Sequence, residues 1–150
     1  MSIYHSKPLK NPNLIQRLFK KQPKENALIE INNLLAETTD IRDIKSEQVT
    51  EIADRYSVNL QKKFHDERTG LFRDLVKHIL EDNQINDQEA LQLKHLRDLL
   101  MLNQHQTQEI LQKEAQKRYG EHLREALEDN RLSEKEKNKL EQLRKDLMID

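Results

Sequence analysis

Two stretches of this 150-residue chain decide its fold: LEDNQINDQE at residues 80–89 and LEDNRLSEKE at residues 127–136. They align without a gap at an offset of 47 residues. Repetition at a fixed period is the sequence signature of proteins built from small supersecondary units. The match continues through three leucines of each copy, namely Leu93, Leu96 and Leu100, and Leu140, Leu143 and Leu147. We therefore expect a helix–loop–helix repeat of 47 residues.

Each copy carries a start signal for its second helix. Asn86 is followed three residues later by Glu89, and Ser133 is followed in the same way by Glu136. In such a capping box the first side chain accepts a bond from a backbone N–H of the first turn, and the glutamate bonds back to the cap's own N–H. We therefore expect both acidic loops to end in a capped helix.

The spacing of leucine and isoleucine predicts further helices over about residues 24–37, 59–82 and 104–129. Gly70 and Gly120 fall inside the last two, where a glycine costs roughly 1 kcal/mol relative to alanine. We interpret each glycine as a point of close packing or a bend, with simple tolerance as the alternative.

A third, less regular copy precedes these two and runs from Leu35 through Ile44 to Asn59. One unit cannot bury its own apolar stripe, but stacked units can. We therefore expect residues 23–150 to form an all-α array or bundle of about seven helices. Asp150 lies where Asn103 lies in the preceding copy, at the start of a long helix. This position leads us to expect that the native protein continues further.

Composition excludes several classes of function. The absence of cysteine excludes disulfides, thiolate zinc sites and cysteine nucleophiles. Two glycines, far apart in the sequence, exclude a phosphate-binding P-loop and a dinucleotide fingerprint. No run of 18 apolar residues is present, and no apolar signal-peptide core begins the sequence. We therefore expect a cytoplasmic protein without catalytic activity or a cofactor.

The charge is distributed unevenly along the chain. Residues 1–24 carry six basic side chains and no acidic one, whereas the remaining 126 residues hold 20 basic and 27 acidic side chains, a net charge of −7. We call residues 1–22 the basic arm. Pro12 is placed to start a short amphipathic helix within it. Its candidate binding residues are Leu14, Ile15, Arg17, Leu18, Phe19, Lys20 and Lys21.

A basic amphipathic segment can dock in a groove of a partner protein or lie on anionic lipid as a peripheral membrane contact. A third interpretation is that its apolar face packs on the acidic body of the same chain. The arm lacks aromatic residues interleaved for base stacking, so nucleic acid is not an expected partner.

The acidic loops are a second candidate site. Asp82 and Glu89 stand at the fifth and twelfth places of a possible calcium loop, but His78 and Leu80 occupy the first and third places. Neither supplies the carboxylate that a hard cation needs there. From the residues alone we therefore favour helix capping over cation binding.

The repeated pattern, from Leu-Glu-Asp-Asn through the capping glutamate to Leu-x-x-Leu-Arg-x-x-Leu-Met, resembles the helical units of the TerB-like family over about residues 71–150. A similar unit occurs in the helical scaffold of a chloroplast inner-envelope import protein. The TerB-like resemblance implies a bacterial cytosolic domain of tellurite and stress responses that binds a divalent metal. By this analogy the metal residues are Asp82, Glu89, Asp129 and Glu136.

The chain departs from the family pattern at Asn83 and Asn130, where the family often has glycine. Asparagine tolerates the left-handed turn, so the fold survives this change. The residues themselves favour a non-catalytic helical scaffold or protein-interaction module. The alternatives are a metal-responsive TerB-like domain and an enzyme with dispersed carboxylates.

Overall fold

A computed structural model describes residues 3–82, 84–128, 137–138, 141–142 and 145, without the side chains of 125–128. Every regular element in this part of the chain is helical, which confirms the all-α prediction. The six α-helices are α1 (Leu14–Leu18), α2 (Asn26–Glu37), α3 (Ser46–Arg55), α4 (His65–Ile79), α5 (Asp87–Leu99) and α6 (Gln104–Glu128), and two short 3-10 helices span Ile41–Asp43 and Leu80–Asp82. Among the described helices, none is both long and apolar enough to cross a membrane.

The core forms where the apolar stripes of α2 to α6 meet. At most 2% of the surface of Ile31, Leu35, Val76, Leu96 and Ala115 is exposed, and these residues come from four different helices. Burying a large apolar side chain contributes about 1.5–3 kcal/mol. The predicted helices near 24–37 and 104–129 are confirmed within two residues, whereas α1 contributes no buried residue at all.

The prediction that the helix over about residues 59–82 begins near residue 59 is wrong. Helix α4 begins at His65, because Phe64 has a left-handed φ of 58° and therefore interrupts the right-handed helix. A non-glycine residue in that conformation costs roughly 1–2 kcal/mol. Leu60 still reaches the core, with 2% of its surface exposed, but it does so from a turn.

Arg68, in the first helical turn of α4, holds the preceding turn around Phe64 in place. Arg68 is 2% exposed, and its Nε donates to the carbonyl oxygen of Lys63 at 2.9 Å. Its Nη1 donates to the carbonyl oxygens of Leu100 at 3.0 Å and Met101 at 3.3 Å, where α5 ends. Desolvation lowers the pKa of Arg68. Within the described residues, Arg68 forms no ion pair with a carboxylate. The partial negative charge at the carboxyl end of α5 compensates its buried positive charge instead.

The two glycines are not points of close packing. A Cβ built at Gly70 or at Gly120 would meet no atom within 4 Å, so the close-packing interpretation is wrong for both. The free space around both glycines is compatible with simple tolerance, and the predicted bend stays a prediction.

Candidate functional site

The basic arm begins with an extended segment, residues 4–10, that runs antiparallel to α2. The side-chain amide of Asn33 accepts a bond from the Lys7 N–H at 2.8 Å and donates to the Lys7 carbonyl at 2.9 Å. The amide of Asn26 does the same with Lys10, at 2.7 Å and 3.0 Å. Each asparagine thus pairs with both polar groups of one backbone residue.

The spacing of the two asparagines matches that of their partners. Asn26 and Asn33 are seven residues apart, which is nearly two helical turns and a rise of roughly 10.5 Å on one face of α2. Lys7 and Lys10 are three residues apart, and three extended residues span about 10 Å. The helix and the extended segment therefore stay in register over both pairs.

Two further contacts fix the start of the segment. Asn32 of α2 is 6% exposed and donates to the carbonyl oxygen of His5 at 2.8 Å. The hydroxyl of Tyr4, which is 7% exposed, donates to the carbonyl oxygen of Leu71 in α4 at 2.6 Å. Burial, together with the charge of Asp74, raises the pKa of Tyr4, so the hydroxyl keeps its proton.

Helix α1 follows this segment and is capped at both ends. Asn13 and Gln16 form a capping box, with Gln16 N–H donating to Asn13 Oδ1 at 2.8 Å. At the other end Lys20 has a φ of 55°, and the N–H of Lys21 donates to the carbonyl oxygen of Gln16 at 2.7 Å. This is the Schellman pattern of a helix end, with lysine where glycine is usual.

The predicted binding residues of the arm all lie at the surface. Arg17, Lys20 and Lys21 are exposed. The exposed fractions of the four apolar side chains are 82% for Leu14, 68% for Ile15, 78% for Leu18 and 66% for Phe19. The interpretation that this face packs on the acidic body is therefore wrong. The structure brings these apolar and basic side chains together on one unpacked helix.

In the acidic loop of residues 80–89, the side chains of Asp82, Asn86 and Glu89 accept hydrogen bonds from nearby backbone N–H groups. Glu89 Oε1 accepts from the Asn86 N–H at 3.1 Å, and Asn86 Oδ1 accepts from the Glu89 N–H at 2.8 Å, which confirms the predicted capping box. Asp82 Oδ1 accepts from the Gln84 N–H at 3.1 Å. No three metal-capable side chains cluster within the described part of the chain. The other two predicted metal residues, Asp129 and Glu136, lie outside the described residues, so metal binding stays a prediction.

A charged groove between α4 and α6 contains the one carboxylate that is buried among the described residues, Glu114. Its side chain is 7% exposed and lies 3.8 Å from Arg73 Nε and 3.4 Å from Lys117 Nζ. A carboxylate held between two cations ties the two helices together. This pairing is typical of a structural contact rather than of a proton-transfer group.

Sequence reasoning missed the asparagines of α2. A signal was present, because asparagine is a poor residue for a helix interior, and three occur in the twelve residues of α2. Their bonding partners lie 16 to 27 residues away in sequence, so no local pattern identifies them.

The chain matches no family model, and neither a curated protein nor a solved structure matches it. The resemblance to TerB-like units therefore stays a prediction. The function has to follow from the chain's own contacts and charges, and the basic arm is where these are most unusual.

Proposed function

We propose that the chain is a non-catalytic helical scaffold that presents α1 to a protein partner. The observation that carries this proposal is the exposure of the apolar face of α1. The helix is capped at both ends and tied to α2 through the extended segment, yet it buries no side chain. Four large apolar side chains that lie close together and are each at least 66% exposed form the kind of apolar surface that marks an interaction site. A partner that covers them removes this apolar surface from water.

The chemistry of the arm defines the partner. An amphipathic helix binds by laying its apolar face into an apolar groove, and the six basic side chains of residues 1–24 favour a groove with an acidic rim. Helix α1 is five residues long, a rise of roughly 7.5 Å. So short a helix buries little area in a lipid surface, and a shaped protein groove gives it more contact. Lipid contact through residues 1–22 is the competing outcome.

The proposed scaffold is built on the 47-residue repeat. Residues 137–138, 141–142 and 145 are helical, and they stand 47 residues after 90–91, 94–95 and 98 of α5. This agreement supports a seventh helix that corresponds to α5.

Site-specific photocrosslinking in the chain's own host cell tests the proposal. Benzoylphenylalanine replaces Phe19, the C-cap residue of α1, in one variant and Leu91 in α5 in a control variant. Leu91 is a matched control, because it is a large apolar residue on a helix with 51% of its surface exposed. We expect one discrete protein adduct from position 19 and none of that mass from position 91.

A second pair of substitutions, Leu14→Ser with Leu18→Ser, is added to the chain carrying the probe at position 19. These changes remove the apolar face and leave every charge in place, so the adduct should disappear. An adduct that survives them, or one that forms equally from position 91, contradicts the proposal. Co-sedimentation of the chain with anionic vesicles that requires residues 1–22 makes lipid the ligand instead.

A further inference from the structure

The face of α2 that holds residues 4–10 contacts this segment mainly through hydrogen bonds to its backbone. Asn26 and Asn33 each bond an N–H and a carbonyl of the segment, and Asn32 bonds a third carbonyl. Asn26 and Asn32 are 1% and 6% exposed, so these amides are held in place by their surroundings. Fixed amides of this kind bind any extended chain that offers polar backbone groups at the same spacing.

Apart from Tyr4, whose hydroxyl donates to the carbonyl oxygen of Leu71, the side chains of the bound segment contribute little to its binding. Residues 5–10 all have exposed side chains, and only Tyr4 is buried. Pro8 falls between the two donor residues, at a position where α2 requires no N–H. The segment therefore supplies the backbone donors and acceptors that the asparagines of α2 bind. Other sequences with the same backbone groups can supply them as well.

Charge and free volume define what else fits. A cavity of about 330 Å³ lies between the segment, α2 and α4. Its lining includes the carboxylates of Glu25, Glu67 and Asp74 together with Lys7 and Lys10. Three carboxylates that line the same cavity as two lysines of the bound segment favour a peptide that carries lysine.

We propose that this face of α2 is a binding groove for an extended, lysine-bearing peptide of a partner protein, and that residues 4–10 occupy it as an intramolecular competitor. Partner binding displaces the segment and releases the basic arm from the body. This site is separate from the apolar face of α1, and the two can fail independently.

A fluorescent peptide with the sequence of residues 1–12 tests the groove on the full-length chain. In one variant, Lys7→Pro and Lys10→Pro remove both backbone donors of the chain's own segment without touching the core. Because the competitor is weakened, the peptide should bind this variant at least tenfold more tightly than it binds the unchanged chain, as measured by fluorescence anisotropy.

Two controls identify the groove. Adding Asn26→Leu and Asn33→Leu to the double-proline variant should reduce peptide affinity at least tenfold, with circular dichroism reporting that the helices are intact. A peptide N-methylated at Lys7 and Lys10 keeps every side chain and loses both donors, so it should bind at least tenfold more weakly. Failure of the peptide to bind the double-proline variant overturns the proposal, as does equal binding of the N-methylated peptide. This peptide-binding result does not depend on the crosslinking experiment at position 19, so the groove can be confirmed even if no crosslinked partner of α1 is found.

Discussion

Helices α1 and α5 are capped in the same way at both ends but differ in how much of their surface is buried. Both begin with an asparagine capping box, and both end at a left-handed non-glycine residue, Lys20 or Met101. Helix α5 runs for 13 residues and buries three leucines, whereas α1 runs for five residues and buries nothing. Local sequence therefore specifies where each helix begins and ends. Tertiary packing alone decides whether its apolar face belongs to the core or is left for a partner.

The largest difference between the two helices should appear when one leucine of each is truncated. Leu96 of α5 is fully buried, so Leu96→Ala should reduce the free energy of unfolding by about 3 kcal/mol through lost burial and the cavity left behind. Leu18 of α1 is 78% exposed, so Leu18→Ala should change it by less than about 0.5 kcal/mol. Urea denaturation of both variants measures the two values. Equal destabilisation would mean that α1 packs on the body in solution.

Replacing Arg68 should give the next largest loss of stability, because Arg68 links α4 to the end of α5. Arg68→Met keeps much of the side-chain volume but leaves three carbonyl oxygens without their donor, and it should cost about 2 kcal/mol. The matched change in the exposed helix is Arg17→Met. We expect no measurable change in unfolding free energy for that variant, because Arg17 is solvent-exposed. If Arg68→Met is neutral in the same urea titration, the buried cation does not hold the turn at Phe64.

The caps give a smaller contrast. Asn86→Ala removes the capping bond of α5 and should lower the global unfolding free energy by about 1 kcal/mol. Asn13→Ala removes the same bond from α1 but should leave global stability unchanged, because α1 frays without uncovering the core. Hydrogen exchange resolves the second effect as faster exchange of the α1 amides. A global loss from Asn13→Ala would contradict the separation of α1 from the core.

Metal binding should give the smallest effect. Glu89 and Asp82 already make local bonds to backbone N–H groups, so we expect no binding heat from calcium, magnesium or zinc in isothermal titration calorimetry. A saturable heat that is abolished by Glu89→Gln or Glu136→Gln would instead support the metal-responsive TerB-like alternative. Glu114→Gln controls for nonspecific binding of a divalent ion to a carboxylate.

Much of the fold follows from the sequence because its signals are local. The spacing of apolar residues predicts α2 and α6, and the pair Asn86 with Glu89 predicts a helix start that the structure confirms. The left-handed Phe64 was not predicted, because the bonds that hold the turn beside it come from a distant helix end.

The site was predictable only in part. The amphipathic pattern of α1 identifies the arm residues, but the same pattern occurs whether such a face is packed or exposed. The asparagine contacts join residues far apart in the chain, for example Lys7 with Asn33. Such pairs depend on how α2 and the arm meet in space, and the sequence pattern of neither segment contains that information.

The openness of the apolar face of α1 can be measured directly with a single tryptophan, because the chain has none of its own. Phe19→Trp places the probe in the basic arm, and Phe72→Trp places it in the core, where Phe72 is 3% exposed. We predict that acrylamide quenches the tryptophan at position 19 nearly as well as it quenches free tryptophan amide, and the one at position 72 several-fold less. Equal shielding at the two positions would contradict the proposal that α1 is held open for a partner.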